Sequence, residues 1–125
     1  MVQHGKIAWT ELLTSDPETA KAFFTDTLGW TFKAFDLSTP YWIIMAGDII
    51  VGGLGPLESG DVVTSTSYWI SFIEVDDIDR RYTRALELGA RTVRAPHDVS
   101  NVGRVAVFYD PTNALVGWTQ SADSE

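Results

Sequence analysis

The segment IAWTELLTSDPETAKAFFTDTLGW, residues 7–30, decides the fold, because much of its pattern returns sixty residues later in YWISFIEVDDIDRRYTRALELGA, residues 68–90. Trp9, Asp16 and Leu28-Gly29 are answered by Trp69, Asp76 and Leu88-Gly89. In the first copy residues 7–14 alternate as a strand, with Ile7, Trp9, Glu11 and Leu13 on one face and Ala8, Thr10 and Leu12 on the other. Ser15 with Glu18 fits a capping box, and Pro17 suits a first helical turn, where its missing N–H has no helical partner to lose. Ala20, Phe23, Phe24 and Leu28 then share one helical face up to Gly29, which suits a left-handed helix end. The spacing predicts a helix over 17–28.

Outward from that segment, strand-like runs fall at 30–35, 41–46 and 49–54, the last two joined by a tight turn at Gly47-Asp48. Residues 57–67, rich in Gly, Ser and Thr, read as a linker. The second copy predicts a strand at 68–75 and an acidic helix start at Asp76, Asp77 and Asp79. A buried stripe of Ile78, Tyr82, Ala85 and Leu86 then leads to Gly89. Strands at 91–95, 104–109 and 114–120 follow, with a loop over 96–103. The organisation is one α+β domain over 1–125, built from two tandem β-α-β-β-β units at about 5–56 and 68–121.

A chain of 125 residues buries roughly two thirds of its unfolded surface on folding. At 45% hydrophobic and 21% charged, with five tryptophans, it has the composition of a globular protein. A formal charge of -8, spread along the chain, argues against nucleic acid, whose backbone needs clustered Lys and Arg, and favours neutral or cationic ligands. The lack of cysteine excludes disulfides, thiolate nucleophiles and Cys-based metal sites. Residues 1–6 lack a signal-peptide core, and the apolar run at 49–57 is short and glycine-rich, so the expectation is a cytoplasmic protein with no membrane segment.

Asp16 with Phe23-Phe24 and Leu28-Gly29-Trp30, Val75-Asp76 with Leu88-Gly89-Ala90, and Asp110-Pro111-Thr112-Asn113-Ala114 carry a likeness to a known family. The chain resembles the vicinal oxygen chelate superfamily, which includes glyoxalase I, extradiol dioxygenases and fosfomycin and bleomycin resistance proteins. The 110–114 run looks like the family's D-P-x-G turn, with Asn113 in the glycine position, and Asn also visits left-handed conformations. The resemblance implies a half-open mixed-sheet barrel, or cup, of the glyoxalase/bleomycin resistance/dioxygenase type. It also implies a homodimer, and in enzymatic members a divalent metal.

The family's metal ligands stand on the first and fourth strand of each unit, typically a His or Gln and a Glu. Carried onto this sequence, the first-strand positions fall on Trp9 and on Ile70, or on Trp69 if the register slips by one. The fourth-strand positions fall within Val51-Gly52-Gly53-Leu54 and on Gly117. None of these residues offers an imidazole or carboxylate, so the expectation is no metal and no other cofactor.

Glu11 is the leading polar candidate, a general base or a counter-ion for a cationic ligand, because alternation puts it beside Trp9 on one strand face. Glu74 shares a face with Ile70 if the second strand follows the family register. His97, in the expected loop, could contact ligand, and Trp42, Tyr68, Trp69 and Phe72 are aromatic candidates for the lining beside Trp9, Gly53, Ile70 and Gly117. Gly52-Gly53-Leu54-Gly55 precedes no helix and reads as close backbone approach, not as a phosphate loop. The expected function is binding of a small apolar, aromatic or cationic organic molecule in an aromatic-lined cup. The alternative is a glyoxalase-like lyase, isomerase or dioxygenase, with Glu11 as base or a metal displaced to His4, Glu11, Glu58 or His97.

Overall fold

The computed structural model describes residues 2–57 and 66–122, and its elements follow one order twice. β1 (Ile7–Thr14), α1 (Pro17–Leu28), β2 (Thr31–Ala34), β3 (Trp42–Ala46) and β4 (Ile49–Pro56) make the first pass. β5 (Tyr68–Glu74), α2 (Ile78–Glu87), β6 (Arg91–Val99), β7 (Gly103–Tyr109) and β8 (Leu115–Ser121) make the second. This is the expected α+β pattern of two β-α-β-β-β passes. The expected linker, and Glu58 with it, lies outside the described residues except at its two ends. By contacts the chain divides into two compact halves: residues 9–70, the N-half, and residues 1–8 with 71–125, the C-half.

In the N-half the strand order is β2-β3-β4-β1, antiparallel except for the parallel β4–β1 pair. Helix α1 is capped by Asp16, which accepts from the Thr19 amide at 3.1 Å and the Thr19 hydroxyl at 2.6 Å. Those bonds hold the Asp16 carboxyl below the usual carboxylate range. The Ser15–Glu18 capping box expected from sequence does not form. Pro17 takes the first helical position, so the cap is the residue directly before it, and Glu18 pairs instead with Lys21 at 2.9 Å. Gly29 closes the helix at φ 73°.

Leu12, Ile44 and Leu54 form the N-half core, with Ala20, Phe24, Trp30, Phe32 and Trp42 packed around it. The expected stripe on α1 is only partly covered. Ala20 and Phe24 reach the core, whereas Phe23 and Leu28 stay 58% and 57% exposed, and α1 has no fully buried residue.

In the C-half the order is β5-β8-β7-β6, with a parallel β5–β8 pair and antiparallel neighbours beyond it. Val75, Ile78, Tyr82, Ala106 and Phe108 form its core. Leu86, expected in the buried stripe of α2, is exposed. At the 110–114 turn the Asp110 carboxylate accepts from the Thr112 amide, the Thr112 hydroxyl and the Ala114 amide at 2.7–3.0 Å, which holds its carboxyl below the usual range. Asn113 adopts φ 74°, as the family glycine would.

The expected loop over 96–103 is a strand as far as Val99. Pro96 has no N–H to donate, and a register shift between Arg94 and His97 on the outer strand β6 absorbs it. The outer strand of the N-half, β2, is only four residues long and carries Lys33.

Two substitutions probe these features by urea unfolding. Ile44 is fully buried, so Ile44→Ala should cost about 3 kcal/mol. Asn113→Ala should cost about 1 kcal/mol through its left-handed backbone, while Asn113→Gly should stay near the wild type.

Candidate functional site

The pleat of β1 sends neighbouring side chains to opposite faces. Leu12 packs on the α1 side with Phe24 and Trp42, so Trp9 and Glu11 face the other way. Glu11 lies beside Gly53 in the parallel β1–β4 pair. The ring of Tyr41, just ahead of β3, covers that glycine so closely that a Cβ at Gly53 would stand 1.7 Å from the tyrosine oxygen. A Cβ at Gly55 would meet the same ring at 3.1 Å, and one at Gly52 would meet the Thr10 carbonyl at 2.3 Å. The glycine run therefore provides close approach, one face of it for a single aromatic ring.

The Tyr41 hydroxyl donates to Glu11 Oε1 at 2.6 Å and accepts from Trp9 Nε1 at 3.0 Å. Three polar atoms are thus fixed in a chain from indole to phenol to carboxylate. Burial, reinforced by the Glu11 charge and by the hydrogen bond to it, raises the Tyr41 phenol far above its ordinary range, against a smaller lowering by Trp9. Tyr41 is therefore a neutral donor at any working pH, and it secures the Glu11 oxygen as an acceptor.

Tyr41 is the site residue that sequence reasoning missed. The signal was present in two places. Alternation from Ile43, which pairs with Gly53, puts Tyr41 on that face of the strand line, and glycines two apart leave room for a ring.

The C-half has a parallel arrangement around its own glycine. Phe72 pairs with Gly117, and a Cβ there would stand 2.4 Å from the Phe72 ring. Glu74 is buried, but both of its oxygens are used: Oε2 accepts from the Ser121 amide at 2.9 Å and Oε1 from the Ser121 hydroxyl at 2.6 Å. Its backbone also binds the N-terminal segment, through Gly5 N–H at 2.7 Å and the Lys6 carbonyl at 2.8 Å. The geometry gives Glu74 a structural role in tying strand ends together.

Two aromatic candidates stand on the α1 side, away from Trp9 and Glu11. Trp42 joins the N-half core under the Lys21 ammonium, 3.9 Å from its ring centre, and Trp69 packs edge-on to Phe24 and Trp30 at 6.1 and 6.4 Å. The sixty-residue match of Trp9 with Trp69 is therefore not a structural equivalence. Ile70 is buried and Tyr68 half-buried. His97 is on strand β6, not in a loop, with Nδ1 2.9 Å from the Ala95 carbonyl, and His4 Nδ1 accepts from the Asp76 amide at 3.0 Å.

The residues present do not fit the family's divalent ion. Gly53 and Gly117 bring no donor, and rings occupy the space a ligating side chain would need. Trp9 Nε1 carries a proton and spends it on Tyr41. Among the described residues no three His, Cys, Asp or Glu are grouped as ligands.

Residues 6–117 match the family model described as Glyoxalase/Bleomycin resistance protein/Dioxygenase superfamily. Over 114 residues the chain is 33% identical to a Mycobacterium tuberculosis protein named "Putative glyoxylase CFP32", covering 89% of this chain and 42% of that one. It is 31% identical over 113 residues to the anthracycline biosynthesis protein DauV of Streptomyces sp. strain C5, covering 88% of this chain and 39% of DauV. The chain thus spans less than half the length of these curated relatives. Methylmalonyl-CoA epimerase from Mycobacterium tuberculosis superposes with a TM-score of 0.67 at 13% identity, over 98% of this chain and 94% of that one, a likeness of fold. On the family match, the repeated β-α-β-β-β order and the left-handed Asn113 turn, the chain belongs to the glyoxalase/bleomycin resistance protein/dioxygenase superfamily.

Proposed function

We propose that this chain is a single glyoxalase-like domain that binds a small organic molecule, aromatic and cationic, on the strand face carrying Trp9, Glu11 and Tyr41, without the family's usual metal. The observation that carries the reading is the Tyr41–Glu11 bond held over Gly53. It keeps a carboxylate oriented beside an indole and a phenol, a combination suited to an ammonium group on an aromatic body. The overall charge of -8 favours the same ligand class. The name of DauV, an anthracycline biosynthesis protein, adds support for a polycyclic aromatic ligand. The reading includes a cytoplasmic homodimer, the state expected from the family resemblance.

A second reading is a metal-independent lyase or isomerase with Glu11 as general base, favoured by the neutral phenol beside the carboxylate and by the glyoxylase name of CFP32. Turnover of a hemithioacetal that disappears in Glu11→Gln would establish it. Unchanged turnover in that variant would remove Glu11 from the role.

Tryptophan fluorescence tests the binding reading with an anthracycline as probe. Quenching should saturate at one ligand per chain, and Glu11→Gln should weaken a cationic ligand at least tenfold while changing a neutral aromatic one much less. No saturable quenching with either ligand, or equal affinity in the variant, would sink it. Calorimetric titration with Zn²⁺, Ni²⁺, Mn²⁺ and Fe²⁺ should reveal no stoichiometric site, and one ion bound per chain at micromolar affinity would overturn the metal-free reading.

The Tyr41 phenol also sets a pH signature. Its folded pKa is raised, so its contribution to stability is complete below the unfolded tyrosine value of about 10 and declines as pH climbs above it. Urea unfolding on the alkaline side should therefore show a shallower loss of stability in Tyr41→Phe than in the wild type.

A further inference from the structure

Tyr41 is not alone over the glycines of β4. Its ring meets that of Phe35 edge-on at 6.4 Å, and the Phe35 amide donates to the Tyr41 carbonyl at 2.9 Å. Phe35 follows β2 directly, and alternation puts Lys33, two residues before it, on the same face. The strand registers carry that placement across the N-half sheet: Glu11 lies beside Gly53, Gly53 beside Ile43, and Ile43 beside Lys33. One transverse row therefore begins with a carboxylate and ends with an ammonium. Three strand spacings separate the two backbones, about 14 Å. Tyr41, Phe35 and Ile43 supply apolar surface between them, each only partly buried, and Lys33 is exposed.

Most other cations of the chain are already engaged. Lys21, Arg80, Arg81, Arg84 and Arg104 each pair with a carboxylate, whereas Lys33 has no ion pair among the described residues. A lysine on an outer strand discourages strand addition from either face, so edge protection does not explain the face that Lys33 takes. The second repeat makes the same choice. In the C-half the corresponding row runs Phe72, Gly117, Val107 and Arg94: again a ring against the glycine, a branched aliphatic side chain, and a cation on the outer strand.

We infer that Lys33 is the anion-recognising end of the site proposed above, a reading on which this one rests, and that the ligand class narrows to aromatic molecules with an ammonium group at one end and a carboxylate at the other. Such a zwitterion donates from its ammonium to Glu11, lies with its ring along Tyr41, Phe35 and Ile43, and accepts from the Lys33 ammonium through its carboxylate. Overall charge favours it as well. A chain of charge -8 repels a free anion, but a zwitterion has no net charge to be repelled, and its carboxylate is set against a cation.

Probes that share a ring separate the two ends. The para-(aminomethyl)benzoate zwitterion has its charges at opposite ends of the ring, and benzylamine has the ammonium alone. Followed by tryptophan fluorescence, the wild type should bind the zwitterion about fivefold tighter than benzylamine, the gain expected of one partly exposed ion pair. Lys33→Met should erase that difference, and Lys33→Arg should keep it. Phenylglycine, whose two charges sit on one carbon and cannot span the row, should bind no tighter than benzylamine. Far-UV circular dichroism checks that the variants fold, as replacement of an exposed side chain allows.

Equal affinity of the wild type for para-(aminomethyl)benzoate and benzylamine, or a preference that survives in Lys33→Met, would overturn the role of Lys33 and leave it as an edge charge. Benzylamine binding that still weakened in Glu11→Gln would then leave the underlying site standing. If no probe gives a saturable change, this inference falls, and if the anthracycline also gives none, the reading beneath it falls too.

Discussion

A tyrosine ring lies where a side chain at Gly53 would stand, and a phenylalanine ring lies where one at Gly117 would stand. Close packing leaves no third option at such positions: a ring or a side chain, not both. In each half that exclusion leaves the glycine position without a polar side chain. It removes the two fourth-strand positions where the family's resemblance would put carboxylates, and at Gly53 it supplies a buried phenol whose hydroxyl must find partners. The partners are Glu11 and Trp9, both on β1, so one glycine accounts for the orientation of three side chains.

Much of this was legible in the sequence, and the rest was hidden for identifiable reasons. The β1 and α1 boundaries and the left-handed Gly29 and Asn113 follow from alternation, Pro17 and turn chemistry, which are local. Glu11 on the Trp9 face was readable for the same reason. Tyr41 was missed although its signal was present, because that signal lies partly in absent side chains on another strand. Which face Trp42 and Trp69 take was not legible, since a tryptophan in a strand carries no sign of which side the helix will cover. Pro96 and His97 were read as loop because proline punctuates a strand pattern, whereas an outer strand with a bulge accepts one.

The repeat preserves its framework and varies its filling. Gly29 and Gly89 both end a helix turn at positive φ, and both passes pair their first and last strands in parallel. At matched positions one half has Phe24 and Trp30 and the other Arg84 and Ala90, so the first is packed with rings and the second is open beside arginines and the carboxylates of Glu87 and Asp110. A duplicated framework can lose apolar filling in one copy without losing the fold, because the buried clusters around Ile44 and Ile78 hold each half independently.

The outermost strands have a consequence for how copies of this chain can meet. β6 is interrupted by Pro96 and a register shift, and it carries Arg91 and Arg94; β2 is four residues long and carries Lys33. A strand from another molecule has little unbroken backbone to add to at either rim. Open-ended edge-to-edge stacking of the kind that produces fibrils is thereby discouraged at both of these strands.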